Sequence, residues 1–135
     1  MAHISSVAPL IEKLARDFAL SEWEFIYLDT RIEVRASMTP SRLRNAYTHD
    51  LRVQMTTGAR AVAFARALGA TTFADSSGHG DLRYGFAVRD GSGVERAAVF
   101  MDRSGTYVSH DGHAYVARGP LAKWFRDLSS AVAAL

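Results

Sequence analysis

Apolar residues near the start of the chain recur every three or four positions: Ile4, Val7, Leu10, Ile11, Leu14 and Phe18. That spacing makes one stripe of an amphipathic helix and predicts a helix over residues 5–20. Ser5 or Ser6 can cap it, and Pro9 is tolerated in its first turn. At Trp23 the period shortens to two. Trp23, Phe25 and Tyr27 alternate with Glu24, Ile26 and Leu28; then Ile32, Val34, Ala36 and Met38 alternate with Arg31, Glu33, Arg35 and Ser37. Period two belongs to a pleated strand. Residues 23–38 therefore read as one bent strand or as a hairpin turning at Asp29-Thr30.

The segment TPSRLRNAY starts a helix, with Thr39 or Ser41 as cap. Residues 48–57 leave two choices open. They extend that helix, or they form a short strand on the alternation of Leu51, Val53 and Met55. A further helix is predicted in TTGARAVAFARALGA, where Ala61, Val62, Ala65 and Leu68 share a face and Gly69 suits the C-terminal cap. DSSGHG (75–80) is a loop. Strands are expected at 82–89 and 94–101, separated by DGSG (90–93) and followed by the turn DRSG (102–105). TYVSH and HAYVA are then joined by Asp111-Gly112, both of which tolerate the positive φ of a two-residue hairpin turn. A closing helix begins at Pro120 and places Leu121, Trp124, Phe125, Leu128, Val132 and Leu135 on one side. The pattern predicts a single α+β domain over residues 1–135. Its sheet is antiparallel, built on a C-terminal four-strand meander, with the N-terminal, central and C-terminal helices packed on one face.

Composition narrows the function. With 135 residues, 48% of them hydrophobic and 22% charged, the chain is long enough to bury a core without a metal or disulfide. It contains no cysteine, which excludes disulfide frameworks, Cys-type zinc sites, iron–sulfur clusters and thiol nucleophiles. No stretch approaches a membrane span, and Glu12 and Asp17 interrupt the region where a secretory signal would carry its apolar core. A cytoplasmic protein is expected. The net charge is +2, but the cations are almost all arginine: 14 Arg against Lys13 and Lys123. They are spread along the chain, with one cluster at Arg42, Arg44 and Arg52 and no basic stripe. A protein is the expected partner in preference to nucleic acid.

The richest candidate chemistry is VSHDGHAYV (108–116). A two-residue turn at Asp111-Gly112 sets His110 opposite His113, with Cβ atoms roughly 4.5–5.5 Å apart on one face. Val108 and Tyr115 share that face; Tyr107, Ser109, Ala114 and Val116 take the other. The simplest expectation is a solvated polar tip. The alternative is general acid–base chemistry by His110, His113 and Tyr115, as in metal-independent RNA cleavage, with Arg118 or Arg103 holding the phosphate. A metal would need a third ligand, such as His79, from a separate loop. No metal or cofactor is expected. SSGHGD lacks the ending of a phosphate-binding loop, DGSG and DRSG lack the acidic ligands of a calcium loop, and no nucleophile elbow is present.

The C-terminal rhythm runs strand, Asp90-Gly91, strand, Asp102 to Gly105, strand, Asp111-Gly112, strand, then a helix with Trp124. Over residues 82–128 it resembles small bacterial immunity proteins that neutralise contact-dependent and other polymorphic toxins. The resemblance implies a cofactor-free cytoplasmic domain that binds a toxin directly, and it carries over no functional residue. One feature departs from it. Immunity proteins against nucleases are often acidic, whereas this chain has a pI near 9.2. The expected function is thus a non-enzymatic inhibitor. Arg83, Arg89 and Arg96 are its expected anchors, projecting together from the solvent face of adjacent strands. The alternatives are the small ribonuclease using His110 and His113, and a secretion chaperone or similar interaction domain.

Overall fold

The change of period at Trp23 marks the first strand of the computed structural model, which describes residues 4–17, 20–34, 36–54 and 58–133. A short 3-10 turn, Ile4–Ser6, leads into α1 (Val7–Arg16), and β1 follows as Leu20–Tyr27. The first helix is therefore shorter than its apolar stripe suggested, and Leu20 already belongs to a strand. Ile11 faces the core, but Leu10 is 40% exposed and leaves the predicted stripe; Phe18 lies outside the described residues.

The remaining elements are α2 (Pro40–Ala46), β2 (His49–Gln54), α3 (Gly58–Gly69), β3 (Thr72–Asp75), β4 (Leu82–Asp90), β5 (Glu95–Asp102), β6 (Tyr107–His110), β7 (His113–Arg118) and α4 (Leu121–Ala133). Thr39 caps α2 by accepting from the Arg42 N–H. The open choice at 48–57 resolves as a strand through Gln54; Met55 lies outside the described residues. The fold is α+β, and its sheet is larger than a four-strand meander. Seven antiparallel strands lie in the order β2-β1-β4-β5-β6-β7-β3, with the meander β4 to β7 as the interior run.

Alternation divides the sheet into two faces. On one, Trp23, Phe25 and Tyr27 of β1 meet Tyr84, Phe86 and Val88 of β4, with Val99 and Met101 of β5 beyond. The helices α1, α3 and α4 cover this face. Phe64 of α3 sits 4.1 Å from Phe86 between ring centres, and Phe125 of α4 sits 5.7 Å from Tyr84. The expectation that the helices share one face fails for α2. Its Leu43 packs on the opposite face, against Ile26, Leu28, Met38, Leu82 and Phe100. Gly85 makes room there: a Cβ at this position would stand 2.9 Å from the Phe100 ring and 3.0 Å from Ile26.

Residues 31–38 form no strand among the described residues, despite their alternation. Their backbone groups are spent elsewhere. Arg83 is only 4% exposed, and its guanidinium donates to the carbonyls of Asp29 and Ile32 at 2.9 Å each. Asp81 accepts from Arg83 through Oδ2 and from the Met38 N–H through Oδ1. The segment is a strap held to the sheet by the buried Arg83 and its partly exposed partner Asp81. Part of the apolar alternation is satisfied by burying Met38 and packing Val34 against the α2 cluster, without any ladder partner.

Candidate binding site

The histidine hairpin has the predicted register. His110 pairs with His113 across a two-residue turn with φ 50° at Asp111 and 74° at Gly112. Val108 and Tyr115 lie inward on the same face, against the helices. The turn itself is solvated at Asp111 and Gly112, and His113 is a third exposed, but His110 departs from the expected polar tip. His110 is 6% exposed, because β5 runs alongside and past the turn. Its Nδ1–H donates to the Ala98 carbonyl at 2.9 Å, and its Nε2 lies 3.3 Å from Asp111 Oδ2. His113 turns the other way: its Nε2 meets Asp75 Oδ1 of β3 at 2.9 Å, and its ring packs 4.6 Å from Tyr115. The two imidazoles thus bind strands on opposite sides of the hairpin.

The partners of the acid–base alternative are dispersed as well. Tyr115 is buried in the core beside Phe73. Arg118 alternates onto the opposite face of β7, and Arg103 sits in the turn at the far end of β6. His79 lies in the loop before β4, on the α2 side of the sheet. Among the described residues, no three His, Asp or Glu side chains gather as metal ligands.

The arginine anchors do not project together. Arg83 is inside the strap. Arg89 donates to Glu22 at 2.7 Å and to Glu24 at 3.4 Å across β1. Arg96, half-exposed, pairs with Asp90 at 2.6 Å. Register shifts at Leu82/Tyr84 and Val88/Arg89 break the simple alternation that had placed them on one face. The two acidic turns are structural. The Asp90 carboxylate accepts from the Ser92 hydroxyl, the Val94 N–H, the Arg96 guanidinium and the Ser92 N–H, which holds it well below the usual carboxylate range despite its burial. Asp102 accepts from Ser104, Thr106 and Tyr107.

An open depression of about 600 Å³ lies beside Leu10 and Leu14 of α1, and two adjoining clefts lie on the α2 face. A cleft of about 70 Å³ lies between the end of the strap, the loop at His79-Gly80 and the outer sides of β6 and β7. Its exposed wall is mainly apolar, from Met38, Pro40, Leu82, Val108 and Ala114, with Ser37, Thr39, His79, Tyr107 and Ser109 as polar members. Gly80 is needed for the close approach, since a Cβ there would stand 2.7 Å from Tyr107 Cβ and 2.8 Å from Asp102 Cβ. A wider, more polar cleft of about 260 Å³ adjoins it and is walled by Arg44, Glu95, Arg96, Ala98, Phe100, Asp111 and Gly112. Arg44 pairs with Glu95 and lies 5.1 Å above the Phe100 ring. Pro40 and Ser109 belong to both clefts. Sequence reasoning missed this site. The small residues of TYVSH and HAYVA were its one local trace, and the strap that closes it comes from far away in the chain.

No described helix is long and apolar enough to cross a membrane. The chain matches no protein-family model, no curated protein and no solved structure, so site geometry alone guides the functional reading.

Proposed function

We propose that this protein is a non-enzymatic binding domain of the cytoplasm, an immunity-type inhibitor that neutralises a bacterial toxin by direct contact. One observation carries the reading. The polar groups best suited to chemistry each close a bond inside the fold: His110 to Ala98, His113 to Asp75, Arg83 to the strap, and Asp90 and Asp102 to their turns. The α2 face, by contrast, carries an apolar cleft and a more polar one beside the half-exposed Arg44 and Arg96. This mixture suits a protein interface. The arginine-rich, weakly basic surface fits a toxin that presents acidic or apolar contacts.

The test has two arms. Affinity capture from the native host, with mass spectrometry, should yield one stoichiometric partner. Expressing that partner alone should arrest growth, and co-expression with this chain should relieve the arrest. Purified protein that degrades RNA in EDTA with a bell-shaped pH profile, abolished by His113→Ala, would overturn the inhibitor in favour of the ribonuclease.

A further inference from the structure

The arginines fall into two groups. Arg31, Arg44, Arg66, Arg83, Arg89 and Arg96 each stand within ion-pair distance of a carboxylate. Arg103, Arg118 and Arg126 are exposed and have no ion-pair partner among the described residues. All three border one turn, residues 102–105. Arg103 lies within it. Arg126 reaches it from α4: a Cβ on Gly105 would overlap Ala122 and lie 3.4 Å from the Arg126 guanidinium. Arg118 ends β7 beside it, because the neighbouring Ala117 N–H donates to the Thr106 carbonyl at 2.8 Å. Alternation carries the Arg118 side chain to the other face of the sheet, so the cations ring the turn from both faces.

The nearby carboxylates are committed elsewhere. Asp102 is 8% exposed and accepts from Ser104, Thr106 and Tyr107, and Asp127 pairs with Lys123. Other exposed cations are less concentrated: Arg42 shares α2 with the paired Arg44, and Lys13 and Arg16 neighbour Glu12 and Asp17. Asp102 and the close approach of Gly105 to Ala122 fix the turn, so its cations are presented with little left to order on binding. Three unpaired guanidiniums around one turn raise the local positive potential and favour an anionic contact. Phosphate would satisfy the same charges, but no aromatic side chain is exposed among the described residues to stack on a base. The edge also continues into the apolar cleft, since Tyr107 of its wall opens the strand that leaves the turn.

We propose that this edge of the sheet docks a carboxylate-bearing surface of the partner protein, with Arg103, Arg118 and Arg126 as anchors for its Asp and Glu side chains. This rests on the protein-binding reading and names the surface and the chemistry it uses. Each guanidinium can take one carboxylate through two parallel hydrogen bonds.

The test uses the full-length chain at low ionic strength, with fluorescent octaglutamate as probe and an oligothymidylate of the same length as its polyphosphate counterpart. Octaglutamate should bind saturably and more weakly as salt is added. Arg103→Gln, Arg118→Gln and Arg126→Gln should each weaken it about threefold, within the usual worth of an exposed ion pair. The triple variant should lose roughly thirtyfold, because separate exposed sites add. Removing the same charge elsewhere, through Lys13→Gln, Arg16→Gln and Arg42→Gln together, should leave binding near the wild-type value. Thermal midpoints show that each variant is folded, and the single variants decide the matter should the triple one fail to fold. Octaglutamate that does not saturate, full affinity in the single variants, or an equal loss in the control triple would each overturn the proposal. Oligothymidylate that binds more tightly than octaglutamate and is lost in the same variants would overturn it in favour of nucleic acid. A partner captured from the host equally well by the triple variant would overturn this surface and leave the protein-binding reading standing. That reading fails separately if no partner is captured at all.

Discussion

Asp81 and Arg83, two residues apart at the start of β4, hold the strap from both sides. Arg83 grips the carbonyls of Asp29 and Ile32, while Asp81 holds the Met38 N–H and completes the ion pair with Arg83 at 2.9 Å. Arg83→Ala should cost about 1–3 kcal/mol, since it leaves two carbonyls without their donor, while Asp81, a third exposed, keeps the Met38 N–H. The strap should also loosen before the domain unfolds, so trypsin should cut after Arg31 much faster than in the wild type. Equal cleavage rates would mean that the strap is held by its apolar contacts alone.

The closing helix supplies two aromatic side chains of unequal depth. Phe125 is fully buried against Phe25, Phe64 and Tyr84, whereas Trp124 is only half-buried against Phe64 and Phe86. Phe125→Ala should cost about 3–5 kcal/mol. Trp124→Ala should cost less, although tryptophan is the larger residue. Urea denaturation midpoints for the two variants give the order directly.

Acid should weaken the turn between β4 and β5. The Asp90 carboxyl has its folded value depressed by the Ser92 hydroxyl, the Val94 N–H and the Arg96 guanidinium. A group depressed in this way adds stability above its unfolded value, about 3.9, and loses it as pH falls towards the folded value. The stability difference between wild type and Asp90→Asn should be constant from pH 5 to 7 and shrink below about pH 4. A gap that stays constant down to pH 2 would show that the carboxylate charge contributes nothing.

The two histidines should separate on mutation. His110→Ala removes the buried donor to Ala98 and should cost about 1–3 kcal/mol. His113, a third exposed and paired with an exposed Asp75, should change stability by less than about 1 kcal/mol. Thermal unfolding of both variants measures the contrast.

How far the sequence carried the fold is clearest at its turns. Asp111-Gly112 needs positive φ at both residues, which fixed the hairpin and the faces of its neighbours. Thr39 before Pro40 likewise marked the start of α2. The alternation from Ile32 to Met38 misled, because Ile32 and Ala36 stay exposed and only Met38 is buried, so the period of two reports neither a buried side nor a ladder partner. The exposure of Arg83 and Arg96 could not be read either, since each lies at a register shift that only the paired strands reveal. The clefts escaped for a related reason. Their walls join residues 37–40, 79–82 and 107–114, and no local pattern connects these segments.

The strand order has a consequence for how the chain acquires its structure. β3 precedes the meander in sequence, yet its one ladder partner among the described residues is β7, 46 residues later, where the Thr72 hydroxyl meets the Arg118 carbonyl. During synthesis β1 can pair with β2 early, and each meander strand can dock on the one before it. Residues 72–75 must wait until the last strand leaves the ribosome. That long loop closure should set the slowest step of folding, and a chain halted before residue 118 would keep β3 unpaired and open to a foreign strand.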